Sequence, residues 1–263
     1  MEAILVFIFG TLIGSFLNVV ILRLPMEQPL TGRSHCFSCR HNLAALDLVP
    51  VFSFLFLKGR CRYCKAKISW RYVFIELLTG LLFVFAWSFF KPDSLVLFLQ
   101  LINAWLVISV LLAVFVIDLE HFLILDKVVL VGCIGAGLLN LVLDLLSKPA
   151  LGFESRFISG LFAALVLTLL FFFSWYISRG RALGFGDVKF AIFLGLVLGW
   201  PKVLAGFMLA ILLGGVVSAF LLALASKTLK SRVPFGTFLT VGALIAFFYG
   251  DRLIAWYLAL LGI

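Results

Sequence analysis

The chain has 263 residues, 64% of them apolar, and charged side chains make up only 13%, against about 25% in a soluble domain. With a mean hydropathy of +1.24 and 30 phenylalanines, several stretches reach the roughly 20 apolar residues that a helix needs to cross about 30 Å of hydrocarbon, which excludes an ordinary soluble globule. The net charge of +9 would suit nucleic acid, but on an apolar chain basic residues first set membrane orientation.

The N-terminus passes from Met1-Glu2 straight into an apolar run with no basic n-region and no small-residue cleavage site, so the first segment is expected to stay as an anchor. Apolar runs broken by charge, Pro or Gly predict about eight helices, over 3–22, 72–90, 94–118, 127–146, 157–178, 188–200, 202–225 and 236–261. The sixth is too short to span unaided and is expected as a half-helix or part of a broken span. The fold class is therefore an all-α polytopic membrane protein of about eight helices with a loop-rich insertion after the first helix, which the charge distribution and cysteine spacing below make a cytosolic zinc-knuckle segment. Its segments are the first transmembrane helix (1–22), the insertion (23–71) and the main bundle (72–263). No repeat at fixed spacing is evident.

Placing segment 23–71 inside puts 16 of the 21 Lys and Arg on the cytoplasmic side, leaving Lys91, Lys148, Arg156, Lys202 and Arg252 outside. By the positive-inside rule both termini face out and the large loop faces the cytosol. The basic excess is then topological, and no nucleic-acid partner is expected.

Inside the insertion, Cys36-Phe37-Ser38-Cys39 and Cys61-Arg62-Tyr63-Cys64 form two Cys-x2-Cys pairs 21 residues apart, close to the spacing of four-thiolate zinc sites. Arg60, Arg62 and Lys65 favour the thiolate form. Two disulfides are the alternative, disfavoured in a reducing cytosol. A site closed by four thiolates is structural, and it would stabilise a 49-residue segment with few large core residues. Cys133, beside Gly132, reads as a small residue at a helix contact.

Acidic groups at membrane depth are costly and therefore functional candidates. Asp118 closes the third predicted span and Asp187 opens the sixth, in Gly184-Phe185-Gly186-Asp187, both toward the cytoplasmic side. Two carboxylates sharing a low-dielectric pocket do not both ionise easily, so one can hold a proton while the other activates water against an amide carbonyl. Gly184 and Gly186 would let a substrate strand run beside the acid. The alternatives are structural: Asp118 capping a helix or pairing with Lys127, Asp187 capping and pairing with Lys189. Asp126 and His121 could support the pair, whereas Asp144 and Asp251 lie toward the opposite side and Glu76 reads as a partner of Arg71 or Arg23. Gly10-x3-Gly14 and Gly195-x3-Gly199 read as helix-packing patterns, and 171–173 as lipid-facing.

In this order the motifs resemble the bacterial type IV prepilin peptidase family, the leader peptidases and N-methyltransferases of type IV pili and type II secretion. The resemblance runs from Gly14-Ser15-Phe16-Leu17-Asn18 and Arg23-Leu24-Pro25 through the cysteine pairs, Glu76-Leu77-x-Thr79-Gly80 and Ile117-Asp118. It continues with Gly184-x-Gly186-Asp187-x-Lys189 and Pro234-Phe235-Gly236. It implies an eight-span enzyme of the inner membrane with catalytic Asp118 and Asp187, supported by Gly184, Gly186, Lys189 and Asp126. The implied reaction removes the basic leader of a prepilin or pseudopilin after glycine on the cytoplasmic side, then methylates the new N-terminus from S-adenosylmethionine. Gly59 matches a position near the second cysteine pair and is carried as a cofactor-binding candidate; no Gly-rich Rossmann fingerprint accompanies it. Two residues depart from the family pattern: Leu125 replaces the Pro before Asp126, and Thr237 replaces the last Pro of Pro-Phe-Gly-Pro. Both are expected to alter turns rather than the two acids.

The substrate logic agrees, since a single apolar helix with a basic cytosolic leader places its scissile bond near the depth inferred for the two acids. Two other classes compete. A proton- or cation-coupled transporter would carry inverted repeats and midplane acids, and a zinc-stabilised scaffold would need neither acid.

Overall fold

The structure is a computed structural model and describes residues 1–148, 153–181, 183–224 and 233–262. Among them the ordered elements are helical: α1 (Glu2–Arg23), the short α2 (Phe52–Phe56), α3 (Arg71–Phe90), α4 (Leu95–His121), α5 (Asp126–Ser147), α6 (Arg156–Ser178), α7 (Phe185–Leu198), α8 (Lys202–Ala223) and α9 (Phe235–Leu260). Seven are long and apolar enough to cross a membrane, and the chain is a multi-pass membrane protein. The remaining expected span, the short sixth (188–200), is α7, whose 14 residues, about 21 Å of helix, fall short of the hydrocarbon thickness.

Two boundaries move in ways that matter. The third span runs on to His121, so Asp118 lies inside the helix's last turn rather than at its end. The sixth starts at Phe185, so Asp187 sits within its first turn.

The chain divides into two compact units, Met1–Ser109 and Val110–Ile263, with the boundary inside α4. In the first unit α3, expected with the bundle 72–263, packs along α1. Gly10 and Gly14 make that approach possible. A Cβ on Gly10 would lie 2.8 Å from the Gly80 Cα, and one on Gly14 would lie 2.7 Å from the Glu76 Cα. Among lipid tails no hydrophobic force drives helices together, so backbone approach and dispersion contacts hold the pair. Phe83, buried, stacks on Trp105 with ring centroids 5.2 Å apart, and Trp105 Nε1 donates to the Phe83 carbonyl at 3.2 Å.

In the second unit α7 is apolar on every face because it is the central helix, in contact with α5, α6, α8 and α9. Gly195 faces the α6 backbone at Ala163 and Ala164, and Asn140 Nδ2 of α5 donates to the Leu196 carbonyl at 2.8 Å. The helix stops at Gly199, whose φ of +67° favours glycine, and the next amide, Trp200 N–H, donates to Ser159 Oγ at 2.8 Å. Asp144 closes another helix end. It accepts from Ser155 Oγ at 2.6 Å and from the amides of Arg156 and Phe157, placing its charge at the α6 N-terminus. Within the expected lipid-facing run, Phe172 and Phe173 are exposed, but Phe171 is buried against Phe207 and Phe235.

Replacing Gly10 by Leu should separate α1 from α3 and destabilise the first unit by about 1–3 kcal/mol. The expected readout is a lower thermal midpoint for the full chain in detergent, and an unchanged midpoint contradicts this packing.

Candidate active site and cysteine centre

The first four amides of any helix lack intrahelical acceptors. Two such ends, those of α9 and α7, receive the two candidate acids. Asp118 is 5% exposed, and its Oδ2 accepts the Thr237 N–H at 2.8 Å, from the first turn of α9, with the Gly236 amide adding a second contact. Thr237 Oγ1 in turn donates to the Pro234 carbonyl at 2.7 Å, fixing that turn. Asp187 is 9% exposed, and its Oδ2 accepts the Gly184 N–H at 3.1 Å, so it caps the helix that carries it. The two carboxylates lie near enough for the charge of Asp118 to act on Asp187.

The glycines around the acids have steric duties. A Cβ on Gly236 would stand 2.7 Å from Asp118 Oδ2 and 3.0 Å from its Cγ, so only glycine leaves the carboxylate its place. Gly186 packs on Ile124, where a Cβ would lie 3.0 Å from the Ile124 Cβ, and a Cβ on Gly184 would lie 3.2 Å from Asp187 Oδ2. Lys189 Nζ and Asp126 Oδ2 meet at 2.6 Å, joining the N-terminal ends of α7 and α5 across 63 residues of sequence. His121 lies 3.9 Å from Glu120 at the end of α4.

Sequence reasoning missed the part played by Thr237. Its departure from the family's Pro was expected to touch only a turn, yet its amide is a donor to Asp118, and proline has no amide hydrogen to offer. Gly236 belonged to a quoted motif, but nothing in the sequence linked it to an acid 118 residues earlier.

In the first unit the two cysteine pairs are built alike. Cys36 N–H donates to the His41 carbonyl at 3.0 Å and Cys61 N–H to the Ala66 carbonyl at 2.8 Å. Flanking bonds, Leu43 to Ser34 and Ile68 to Gly59, are both 2.8 Å. Arg40 and Lys65, each directly after the second cysteine, have φ of 55° and 60°. This is a local duplication offset by 25 residues, a repeat hidden in the sequence because only the cysteines and the basic residue after them coincide.

All four sulfurs, of Cys36, Cys39, Cys61 and Cys64, lie within 4.8 Å of one another, with Cys36 and Cys64 3.7 Å apart. No disulfide joins them. Tetrahedral thiolates about 2.3 Å from a zinc ion would stand about 3.8 Å apart, so the spacing fits a four-coordinate metal. The four thiols share their protons unevenly: the Cys39 N–H, opposed by partial burial, holds the Cys36 thiol down to about 6, whereas against the Ala66 N–H, burial and hydrogen bonds with the other three sulfurs push the Cys64 thiol up to about 11.

The surrounding loop is tied by charge. Arg23, at the end of α1, donates to the carbonyls of Pro29, Leu30, Thr31 and Arg33 at 3.0–3.3 Å. Asp47 accepts from Arg62 Nε at 2.6 Å and from Tyr63 Oη at 3.3 Å, fastening the turn at Ala45–Asp47 to the second cysteine pair. Gly59 has φ +66° just after α2, and a Cβ there would lie 3.0 Å from Phe54 Cζ, so its glycine is needed for the chain path. Glu76, expected beside Arg71 or Arg23, accepts the Val51 N–H at 2.7 Å.

Comparison with known proteins matches this architecture twice. Residues 8–90 match the bacterial peptidase A24 N-terminal domain, and residues 105–219 match the type IV leader peptidase family. The chain is 34% identical over 281 residues to the prepilin leader peptidase/N-methyltransferase of Aeromonas salmonicida (strain A449), covering 97% of this chain and 93% of the relative. It is 31% identical over 257 residues to the protein of the same description from Bacillus subtilis (strain 168), covering 97% of each. No solved structure matches it. With both family models matched and near-complete coverage at this identity, the chain belongs to the type IV leader peptidase family and is an enzyme of that family.

Proposed function

We propose that this chain is a membrane-embedded aspartyl endopeptidase. It removes the basic leader of type IV prepilins or type II secretion pseudopilins after glycine, at the cytoplasmic face of the bacterial inner membrane. It then N-methylates the new N-terminal residue, using S-adenosylmethionine. The observation that carries the peptidase half is the pairing of Asp118 and Asp187, buried at the first turns of two helices and within electrostatic reach of each other. The distribution of Lys and Arg supports the cytoplasmic placement.

In this reading one aspartate takes a proton from water as its oxygen attacks the carbonyl carbon of the scissile amide. The other, holding a proton, gives it to the leaving nitrogen, so the C–N bond breaks as the C–O bond made in the attack is kept. Backbone amides at Thr237 and Gly184 keep both carboxylates oriented without placing a competing positive charge on them. The Lys189–Asp126 ion pair would hold the α7 start in register, and Gly184 and Gly186 keep that start compact. For a substrate that is itself an apolar helix, the chain about the scissile bond has to unwind before water can attack.

The methyl-transfer half rests on what the relatives are called. S-adenosylmethionine supplies an electrophilic methyl group on a sulfonium. The four cysteines are assigned a structural zinc, because the sulfur spacing fits a tetrahedral ion and leaves no open coordination position.

Co-expression with a prepilin tests the acids. Asp118→Asn and Asp187→Asn should each accumulate in membranes yet lower leader removal by at least ~100-fold. Cleavage by both variants refutes the mechanism. Gly236→Ala should reproduce much of the Asp118→Asn defect by displacing that carboxylate, read as a fall in leader removal at normal membrane abundance.

Metal analysis of the purified full chain should find about one zinc per chain. Cys39→Ser combined with Cys64→Ser should remove it and make segment 23–71 sensitive to protease. Full zinc occupancy in that double variant would show the ion to be bound elsewhere.

A further inference from the structure

The connection between α1 and α3 carries a run without charge, residues 48–57, and Lys58, Arg60, Arg62, Lys65 and Lys67 follow it with no acid among them. A loop in water would turn such a run inward. Here Phe54 is buried, but Leu46 is 71% exposed, Phe52 59%, Leu55 56% and Phe56 83%. Contiguous apolar surface of this kind marks a contact with something other than water.

The attachment of α2 says what covers it. α3 has 20 residues, about 30 Å of helix, which is the whole hydrocarbon thickness, so the span has no turn to spare outside the membrane. Glu76 lies five residues beyond Arg71, roughly 7 Å along the axis, and its carboxylate accepts the N–H of Val51, the residue that opens α2, at 2.7 Å. The Phe54 ring meets that of Trp70, the exposed residue just before α3, at 4.8 Å, and tryptophan at the mouth of a span belongs to the membrane–water interface. Both attachments hold α2 at the level of the first turns of a span, with Phe52, Leu55 and Phe56 facing away from the protein.

We propose that residues 46–57 are embedded in the membrane interface, with Phe52, Leu55 and Phe56 among the acyl chains of the leaflet that α3 enters and the cations of 58–67 on anionic phospholipid headgroups. The run is too short to cross a bilayer and has the length of an interfacial segment. Arg62 is engaged by Asp47, so the headgroup contacts fall to Lys58, Arg60, Lys65 and Lys67, all exposed, whose long stems let the charge stay in water while α2 lies deeper. Part of the insertion expected in the cytosol is then a membrane element.

The test reconstitutes the full chain in nanodiscs of phosphatidylcholine and phosphatidylglycerol that include a phospholipid with a photoactivatable diazirine in its acyl chain. Illumination should label peptides within 52–57 as well as the spans. Phe52→Asp combined with Phe56→Asp should lower that label while label on α3, the internal check of insertion, stays constant. Labelled spans with no label in 52–57 overturn the proposal, as do equal label in the double variant and cross-links from this segment to a second copy of the chain in place of lipid. Hydrogen exchange tests the headgroup contacts: the amides of 52–57 should exchange more slowly with phosphatidylglycerol present than in phosphatidylcholine alone, by roughly fivefold for each cation engaged. Lys58→Ala combined with Lys67→Ala should reduce that difference, and equal rates for the wild-type chain in the two lipid compositions overturn the headgroup contacts.

Discussion

Two carboxylates, Asp118 and Asp187, are buried in the second unit, and helix starts around them supply their hydrogen-bond donors. A buried carboxylate must be hydrogen-bonded or it is prohibitively costly. Lysine or arginine would supply the bond with a full opposing charge. A helix start supplies donors and a partial positive potential instead. Asp118 takes this from α9 and Asp187 from α7, so each helix begins beside its acid. α7 ends after 14 residues at Gly199. Its apolar circumference then requires neighbours on all sides, and α5, α6, α8 and α9 provide them.

The first unit solves a different problem. Its long polar connection between α1 and α3 contains few buried large side chains, and folding free energy comes from elsewhere. Arg23 gathers four carbonyls, Asp47 fastens one cysteine pair, and two copies of one hairpin turn aim four sulfurs at a common point. A metal ion binding there would convert its binding free energy directly into order for the loop. The loop in turn presents the Val51 amide to Glu76.

Hydropathy made the spans legible, since crossing hydrocarbon demands length and apolarity that little else in a sequence imitates. The cysteine spacing exposed the metal-type cluster, and the scarcity of acids at membrane depth singled out Asp118 and Asp187. What stayed hidden depends on which helix faces which. Helices as uniformly apolar as α1, α3 and α7 have almost no polar face to show their orientation, so a periodicity argument cannot say that Gly14 meets Glu76 or that Gly236 meets Asp118. Glu76 looked like a surface ion-pair partner, but it bonds the Val51 amide and the Ser15 side chain, and an amide carries no sequence signature. The duplicated cysteine turn escaped notice for the same reason: what repeats is a pattern of backbone bonds, not of residues.

Thr237 shows how a change confined to a turn can reach the chemistry. Within the first turn of a helix, proline and threonine are nearly equivalent for the helix itself, because no intrahelical acceptor awaits that amide. They stop being equivalent once a carboxylate docks there. With proline the acid would keep the Gly236 amide alone; with threonine it gains a second donor at 2.8 Å. This position therefore sets how many backbone donors hold the Asp118 carboxylate in place. Turn residues next to a buried acid therefore deserve to be read by the hydrogen they offer as well as by the geometry they allow.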